Sequence, residues 1–591
     1  MHMLAIVTAP QNHDAIQKKL ERHFSELQNT GFTGDARFGR FGDVLLAYDA
    51  SSPYAFFTES STGFHLWGGF RGVQNHSSDG APEIASYAGI ILDDKDNAAT
   101  LRTEADPNYP WPLFYASTER GAAIGSDVHA IAIALGLSEL SLEAVSELIS
   151  YQYVLGRSTT VEGINRLWPG EELSFSATAS ALPIAMQPQK KHASPDYVEL
   201  EDFDLDKQVD ETFESLVEAV KQLNVESENT VVQLSGGLDS RLTAIAISRS
   251  GASDVNCITM NLEDGKELAI AGEITSRYGF AHETLTLPES GQEDLRAAWL
   301  LTAGQAPLHA AANNIPYYRS QLKNRDHVRI VGAWPADLLI GAFVPNFSEF
   351  ADPRETKRAL KFWLGTFTEN LGAEELFRDS PWATRHIKQT RKRIAAQVSG
   401  PHGSTAAQRV SYWAYTYCAP VFTFLSPARM CANVLEIAPV MAPGFVQNLL
   451  RLRGKDIQQR NFYQRMIWAK APELQDIPYH NTGKLLSPEY DTSTAPMSWK
   501  LRAMLAFPLG IFRMLNRMYN RRLSQGQTTT LSVQSSHWNS LLSEHTKAPL
   551  TIANGVTLDP RVVTNPFGRI GISATAVACA WTRSYLKSYQ D

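Results

Sequence analysis

The sequence has few of the features that mark secreted, zinc-binding, membrane or nucleic-acid-binding proteins. Its 591 residues include four cysteines, which are far apart and form no Cys-x-x-Cys pair. They indicate reduced thiols of a cytoplasmic protein, not a disulfide framework or a zinc site. No stretch approaches about 18 consecutive apolar residues, and the first residues lack the basic region of a signal peptide, so we expect no membrane span and no export. The net charge of −8 argues against nucleic acid as the main partner.

What the chain does have is the composition and length of a globular protein with two to four domains. About the first 180 residues show short apolar runs between turn residues, which predict short strands. Residues 181–207 mix Pro, Gln, Lys, Ser and Asp without periodicity, as a linker does. From 208 onwards helical and strand patterns alternate, which predicts βαβ units and a parallel sheet. Residues 355–470 are predicted to be mostly helical.

The most informative segment is Leu234–Ser240, where an apolar strand runs into Ser-Gly-Gly-Leu-Asp-Ser and a helical pattern follows. A strand, a glycine turn and a helix N-terminus together form an anion site. Ser235 and Ser240 add hydroxyl donors, and Asp239 can hold a Mg²⁺ that bridges phosphates. No lysine follows the glycines, so this is not the Walker-type loop of kinases and GTPases. The segment resembles the pyrophosphate loop of ATP pyrophosphatases.

Three further clusters lie where strands or loops end. Met260 closes the second predicted strand and could line an adenine, although a loop before an ordinary amphipathic helix fits the spacing equally well. Asp337 is a lone acid among apolar residues after a predicted strand; it could share Mg²⁺ with Asp239 or simply be an acid at a helix N-terminus. Lys484 lies on a polar loop, where it could neutralise an intermediate's charge or be solvated.

These segments resemble those of the asparagine synthetase superfamily. The similar stretches are Leu234–Ser240, Glu263–Ala271, Val331–Gly341, Leu435–Pro439, Lys484, Ala123–Asp127 and Gly163–Gly170. The resemblance implies an α/β chain: an N-terminal glutaminase-like (Ntn-type) αββα sandwich, then a doubly wound parallel-sheet ATP pyrophosphatase (adenine nucleotide α hydrolase-like) domain with helical additions. The implied segments are a degenerate glutaminase-like domain (1–180), a linker (181–207), a synthetase domain (208–490) and its C-terminal extension (491–591).

The resemblance also implies roles for individual residues. The cofactors expected are ATP and Mg²⁺, with Asp239 and Asp337 as metal ligands. Lys484 takes the place of the family's catalytic lysine, and Glu436 is a candidate general base. The residues expected to bind the nucleotide are Leu234, Ser235, Gly236, Gly237, Leu238, Asp239, Ser240, Met260, Val331 and Gly332.

The departures from the family are informative. Members that hydrolyse glutamine expose a cysteine directly after the initiator Met, but His2 stands there, so we expect no ammonia production. Trp334 replaces the Glu or Tyr three positions before the metal Asp, and Pro335 alters the turn. The usual base is then missing, or is supplied by Glu436 or the substrate.

Loss of glutaminase with retention of the ATP site resembles the β-lactam synthetases and the lasso peptide macrolactam synthetases. Residues 500–523 are rich in Lys and Arg, contain no acid and interleave apolar side chains. They could grip a peptide or a partner protein, or equally form an ordinary amphipathic helix pair with a solvated basic face. The long C-terminal extension favours the lasso peptide branch. That branch implies a precursor peptide, a leader peptidase and a leader-recognition protein as partners. The alternatives are an ammonia-dependent asparagine synthetase-like or β-lactam synthetase-like ligase, and an inactive scaffold.

Overall fold

The structure is a computed structural model. It describes residues 2–60, 62–71, 85–95, 98–106, 111–181, 186–191, 196–260, 265–332, 339, 356, 381–422, 430–457, 461–479, 483–487, 537–538, 540–553, 556–562 and 566–590.

The first half of the chain forms two antiparallel sheets and a helical layer. Its strands are β1 (Met3–Val7), β2 (Ala36–Phe41), β3 (Val44–Asp49), β4 (Ala55–Ser60), β5 (Gly63–Arg71), β6 (Ala85–Lys95), β7 (Ala98–Ala105), β8 (Phe114–Thr118), β9 (Gly121–Gly125), β10 (Asn165–Arg166), β11 (Glu171–Glu172), β12 (Ser174–Ser176) and β13 (Gln189–Lys190). The larger sheet has the order β10-β8-β9-β1-β3-β2, and the smaller has the order β12-β7-β6-β5-β4. Strands β11 and β13 pair separately, so part of the predicted linker is a strand.

Three of the four layers of the predicted αββα sandwich are found. Helices α1 (His13–Gln28) and α2 (Val128–Leu135) pack on the larger sheet. The inner faces of the two sheets meet through aromatic pairs, with ring centroids 4.8 Å apart for Phe41 and Phe64. Among the described residues no helix packs extensively on the far face of the smaller sheet, where Phe56 is 44% exposed. The arrangement described is therefore α-β-β.

The second half contains the predicted parallel sheet. After α3 (Leu142–Tyr151) and α4 (Leu205–Lys221), strands and helices alternate as β14 (Thr230–Gln233), α5 (Leu238–Arg249), β15 (Asn256–Met260), α6 (Lys266–Tyr278), β16 (Ala281–Leu285), α7 (Gln292–Thr302), α8 (Leu308–Leu322) and β17 (Val328–Val331). A further strand, β18 (Val434–Ile437), falls in the region predicted to be helical and pairs with β17. All neighbouring strands run parallel in the order β16-β15-β14-β17-β18.

The strand order places a topological switch point beside β14. The chain passes from β14 to β15 and β16 on one side, and then returns to β17 on the other side. Ligands of open α/β sheets bind at the carboxyl ends of the strands that flank such a point. The loop after Gln233 and Gly332, which follows Val331, lie beside this point.

The rest of the described chain is mainly helical. Its helices are α9 (Pro381–Val398), α10 (Ala406–Trp413), a π-helical turn (Ala414–Cys418), α11 (Ala419–Phe422), α12 (Pro443–Leu449), α13 (Gly454–Ile457), α14 (Asn461–Lys470) and α15 (Pro566–Lys587). Strands β19 (Leu550–Ala553) and β20 (Val556–Leu558) form a hairpin before α15. Along the described chain, short 3-10 turns occur at Pro10–Asn12, Ala179–Ala181, Pro439–Met441, Pro472–Leu474 and Pro560–Val562. Helix α15 returns to the first half and packs on α2 and α3. No helix in these ranges is long and apolar enough to cross a membrane.

Candidate functional site

The loop between β14 and α5 is held by its two serines. The Ser235 and Ser240 hydroxyl oxygens lie 2.9 Å apart, and the Ser240 hydroxyl also reaches the Ser235 carbonyl at 3.1 Å. The Gly237 amide donates to Ser235 Oγ at 3.2 Å. Gly237 has ordinary extended dihedrals (φ −76°, ψ 164°), but a Cβ there would come within 3.2 Å of Ser235 Oγ. Close packing, not an unusual backbone conformation, is therefore what favours glycine at this position.

The loop leads into a helix N-terminus that is open to an anion. Gly237 is the N-cap of α5, and no side chain in the described part of the chain caps this helix. The first amides of a helix have no partner within the helix and carry a partial positive charge. By contrast, the side chain of Asp204 caps α4 by accepting from the amides of Asp206 and Lys207. The start of α5 is thus suited to hold a phosphate.

A cavity of about 230 Å³ lies over this loop. Of the residues predicted to bind nucleotide, it is lined by Leu234, Ser235, Gly237, Asp239, Ser240 and Met260. Gly236 and Leu238 are buried within the loop and do not line the cavity. Its other walls were not predicted: Gln233, Ile258, Thr259, Glu267 and Tyr317. Gln233 and Thr259 could have been predicted, because each is a polar residue near the end of an otherwise apolar strand. Tyr317 lies on α8, a helix with no clear signal in the sequence.

Thr259 fixes the edge of the cavity and the tautomer of a neighbouring histidine. Its hydroxyl donates to the Leu234 carbonyl at 2.8 Å and lies 2.8 Å from His282 Nε2. A hydroxyl has one proton to donate, so His282 must donate from Nε2 to Thr259. Burial lowers the pKa of His282, which is consistent with a neutral ring. These bonds tie the carboxyl end of β14 to β15, and tie β15 to His282 near the start of β16.

Val331 and Gly332 lie on the other side of the switch point. Val331 pairs with Val232 of β14, and the Gly332 amide donates to the Ile437 carbonyl at 2.8 Å. A Cβ at Gly332 would lie 3.6 Å from Gln233 Oε1, so this glycine borders the cavity wall without lining it. The predicted roles of Val331 and Gly332 in nucleotide binding remain predictions.

The predicted base and metal ligands are only partly described. Glu436 lies on β18, and its Oε1 accepts a hydrogen bond from the Tyr318 hydroxyl at 2.9 Å. Asp239 lines the cavity, whereas Asp337 lies outside the described residues, as do Trp334 and Pro335. The pairing of Asp239 with Asp337 around Mg²⁺ therefore stays a prediction. The basic segment at 500–523 also lies outside the described residues.

The segment that leads to Lys484 is anchored to the phosphate-loop helix by a buried arginine. From α5, Arg241 donates to the Ile477 carbonyl at 3.1 Å and to the Pro478 carbonyl at 2.8 Å. Burial lowers the pKa of Arg241 to about 10, so the guanidinium remains charged at neutral pH. This contact makes the position of the lysine loop depend on α5.

The lysine loop is closed by its own backbone. The Tyr479 amide donates to the Lys484 carbonyl at 2.8 Å, and the Gly483 amide donates to the Tyr479 carbonyl at 2.8 Å. Gly483 has a φ of +66°, a left-handed conformation that favours glycine. Lys484 itself is exposed and does not line the cavity. The structure therefore places Lys484 close along the chain to a segment that Arg241 of α5 anchors, and its catalytic role remains a prediction.

His2 is buried and surrounded by other polar side chains of the first half and of α15. His2 Nδ1 lies 2.9 Å from Asp127 Oδ2, and His23 Nε2 lies 2.8 Å from the same oxygen. His2 is 1% and Asp127 2% exposed, and burial lowers the pKa of His2. The Tyr585 hydroxyl of α15 closes the cluster 2.9 Å from His23 Nδ1. No cluster of His, Cys, Asp and Glu in the described ranges is arranged to hold a metal ion.

Comparison with known proteins supports the family but not the branch. Residues 211–332 match the family model for asparagine synthase, which supports the predicted superfamily and an ATP-dependent amidotransferase or ligase type of function. Among 28 matching chains of solved structures, one is glutamine phosphoribosylpyrophosphate amidotransferase from B. subtilis, complexed with ADP and GMP. It is 11% identical over 44% of this chain and 65% of that chain, just under two thirds of its length, with a TM-score of 0.20. No curated protein matches.

Proposed function

We propose that the chain is an ATP-dependent, AMP-forming ligase that closes a macrolactam in a precursor peptide, as lasso peptide cyclases do. The observation that carries the proposal is the cavity at the switch point, where the serine-pinned loop Ser235–Ser240 meets the open N-terminus of α5. The surrounding segment matches the asparagine synthase model. Because His2 stands where glutamine-hydrolysing members have a cysteine, we propose that the amine does not come from glutamine.

The residues at the cavity fit the phosphates of ATP. The first amides of α5 and the hydroxyls of Ser235 and Ser240 are hydrogen-bond donors, as phosphate oxygens require. Asp239 lines the same cavity and offers the oxygen ligand that Mg²⁺ prefers. A bound Mg²⁺ would neutralise part of the phosphate charge.

The proposed reaction has two steps. A side-chain carboxylate of Asp or Glu in the peptide attacks the α-phosphorus of ATP; a carboxyl-oxygen-to-phosphorus bond forms, and the bond to the β-phosphate breaks, releasing pyrophosphate. The peptide's N-terminal amine then attacks the acyl carbon, the amide forms and AMP leaves. The amine must be neutral, which its ordinary pKa near about 8 allows. Holding both ends of one peptide together supplies a proximity effect.

Two side chains are assigned to the second step. We propose that Lys484 neutralises the charge that develops as the amide closes, and that Glu436, held by Tyr318, takes the proton released by the amine. An internal amine makes ammonia unnecessary, in keeping with the buried His2 cluster. The proposed partners are the precursor peptide, the leader peptidase that frees its amine and a leader-recognition protein.

The experiment is a product analysis with three candidate substrates. Purified protein with ATP and Mg²⁺ is incubated with a leader-free candidate precursor peptide, with aspartate and ammonium, or with glutamine. We expect AMP, pyrophosphate and a peptide lighter by one water in the first reaction only, and no glutamate from glutamine. ADP and phosphate as products would overturn the assignment. Turnover of aspartate with ammonium would favour the asparagine synthetase-like alternative, and no turnover with any substrate would favour a scaffold.

A further inference from the structure

One buried tyrosine of the cavity has a hydroxyl for which the described residues offer no well-aligned hydrogen-bond partner. Tyr317 of α8 is only 3% exposed, and it lines the cavity together with Ser235, Asp239 and Ser240 of the phosphate loop. Within the part of the chain that the structure describes, its hydroxyl makes no well-aligned hydrogen bond. A buried hydroxyl without a partner destabilises a folded protein.

The Tyr317 hydroxyl is suited to act as a hydrogen-bond donor. Burial is the largest influence on it and raises the pKa of Tyr317, outweighing the opposite effect of the neighbouring Gln233 side chain. The phenol therefore keeps its proton at neutral pH. A protonated hydroxyl at a phosphate-binding loop, without a well-aligned partner among the described residues, suits an anionic oxygen.

The adjacent tyrosine of α8 does have a hydrogen-bond partner for its hydroxyl. Tyr318, also buried, donates to Glu436 Oε1 at 2.9 Å and does not line the cavity. Consecutive helical residues point about 100° apart, so one hydroxyl satisfies a carboxylate of β18 while the other faces the cavity. The Tyr318 hydroxyl is therefore used within the protein, whereas the Tyr317 hydroxyl is placed to contact a ligand in the cavity.

We propose that the Tyr317 hydroxyl binds a non-bridging oxygen of the α-phosphoryl group of ATP, opposite the donors of the phosphate loop. The inference rests on the proposed function and extends it, because it assigns a contact to the phosphoryl group at which the peptide carboxylate reacts. It makes Tyr317 a binding residue of the adenylation step.

The test is nucleotide affinity, measured by titration calorimetry with Mg²⁺ and α,β-methylene-ATP. Loss of one hydrogen bond to a charged group should weaken binding by Tyr317→Phe roughly 10- to 100-fold. The thermal unfolding midpoint should not fall, because the substitution removes a hydroxyl that has no well-aligned partner in the described ranges. AMP, which keeps the α-phosphoryl group, should show the same loss, and pyrophosphate, which lacks it, should bind equally to both proteins.

The matched control is Tyr54→Phe. Tyr54 is buried in the first half of the chain, and its hydroxyl likewise has no hydrogen bond to any described residue, but it lies away from the cavity, so its loss should leave nucleotide affinity unchanged. Equal affinity of wild type and Tyr317→Phe for α,β-methylene-ATP would overturn the inference alone. So would a loss seen with pyrophosphate and not with AMP. A wild-type protein that binds no nucleotide would overturn the proposed function as well.

Discussion

Two places in this chain use the same local construction with opposite results. In each, a short buried strand passes through a Gly- and Ser-containing turn into a helix, and an aspartate stands near the helix start. In the first half, β9 leads through Gly125 and Ser126 to Asp127 and α2. In the second half, β14 leads through Ser235–Gly237 to α5, with Asp239 in its first turn.

The difference lies in what occupies the helix N-terminus. Asp127 caps α2 with its own carboxylate, accepting from the His129 amide at 2.8 Å and the Ala130 amide at 3.1 Å. His2 and His23 then cover the remaining carboxylate oxygen. At α5 no described side chain caps the helix, and Asp239 lines an open cavity. A helix start filled by its own chain is structural, and one left open is suited to a ligand.

The largest expected effect separates the two aspartates. Asp239→Ala should reduce AMP formation on the order of a thousand-fold or more, because it removes the proposed metal ligand at the phosphates, while leaving the stability of the half-buried site nearly unchanged. Asp127→Ala should instead cost roughly 3–5 kcal/mol of unfolding free energy, because it breaks a buried pair and removes a helix cap. Turnover assays and urea unfolding of both variants measure the two effects. Equal loss of stability in both would contradict the comparison.

A smaller effect is expected at Lys484. Lys484→Met should lower the rate of product formation roughly a hundred- to a thousand-fold, because one preorganised charge is lost, and ATP affinity should stay near wild type. The control is Lys470→Met, which makes the same change on the preceding helix, where the ammonium lies 2.6 Å from Asp210 Oδ1. Single-turnover assays with the peptide distinguish them. A rate for Lys484→Met within a few-fold of wild type would assign the charge stabilisation to another residue.

Most of the parallel sheet could be predicted because its pattern is local. The alternation of strands and helices expected from residue 208 onwards is found in β14, α5, β15, α6, β16, α7 and β17. Strand β18 was missed, because a short strand enclosed by helical sequence carries little local signal and is stabilised by its pairing with β17. That no described helix packs extensively on the far face of the smaller sheet also could not be predicted, since this depends on which segments pack together.

The site shows the same limit. The phosphate loop could be predicted because Ser235–Ser240 is contiguous and each residue type has a local task. Tyr317 could not be predicted as a cavity residue, because it lies on a helix more than seventy residues after the phosphate loop. Its local sequence also gives no reason to choose it over the adjacent Tyr318. Burial of the His2 cluster likewise depends on Tyr585 at the far end of the chain. Contacts between distant segments, not composition, decide these positions.

The smallest expected effect concerns the pH dependence of the filled site. Burial is the largest influence on His129 and lowers its pKa to about 3, against an ordinary 6.5 and despite the attraction of Asp127. Between these values the unfolded state binds a proton that the native state does not, so stability is complete above pH 6.5 and falls as the pH drops towards 3. Asp127, whose pKa stays well below its usual range although burial opposes this, is ionised throughout the window from pH 6.5 to 5.

We therefore expect wild type to lose roughly 2 kcal/mol of unfolding free energy through His129 between pH 6.5 and 5. Over the same pH interval, the unfolding free energy of His129→Gln should fall by about 2 kcal/mol less than that of wild type. This difference in slope does not depend on how stable the variant is at pH 7.5. Urea unfolding at each pH measures the slope, and Gln208→Ala, at a buried neutral residue of α4, should keep the wild-type slope. Identical slopes for wild type and His129→Gln would mean that the histidine is already charged in the native protein, and the first half would then hold a stabilised ion cluster instead of a neutral, filled site.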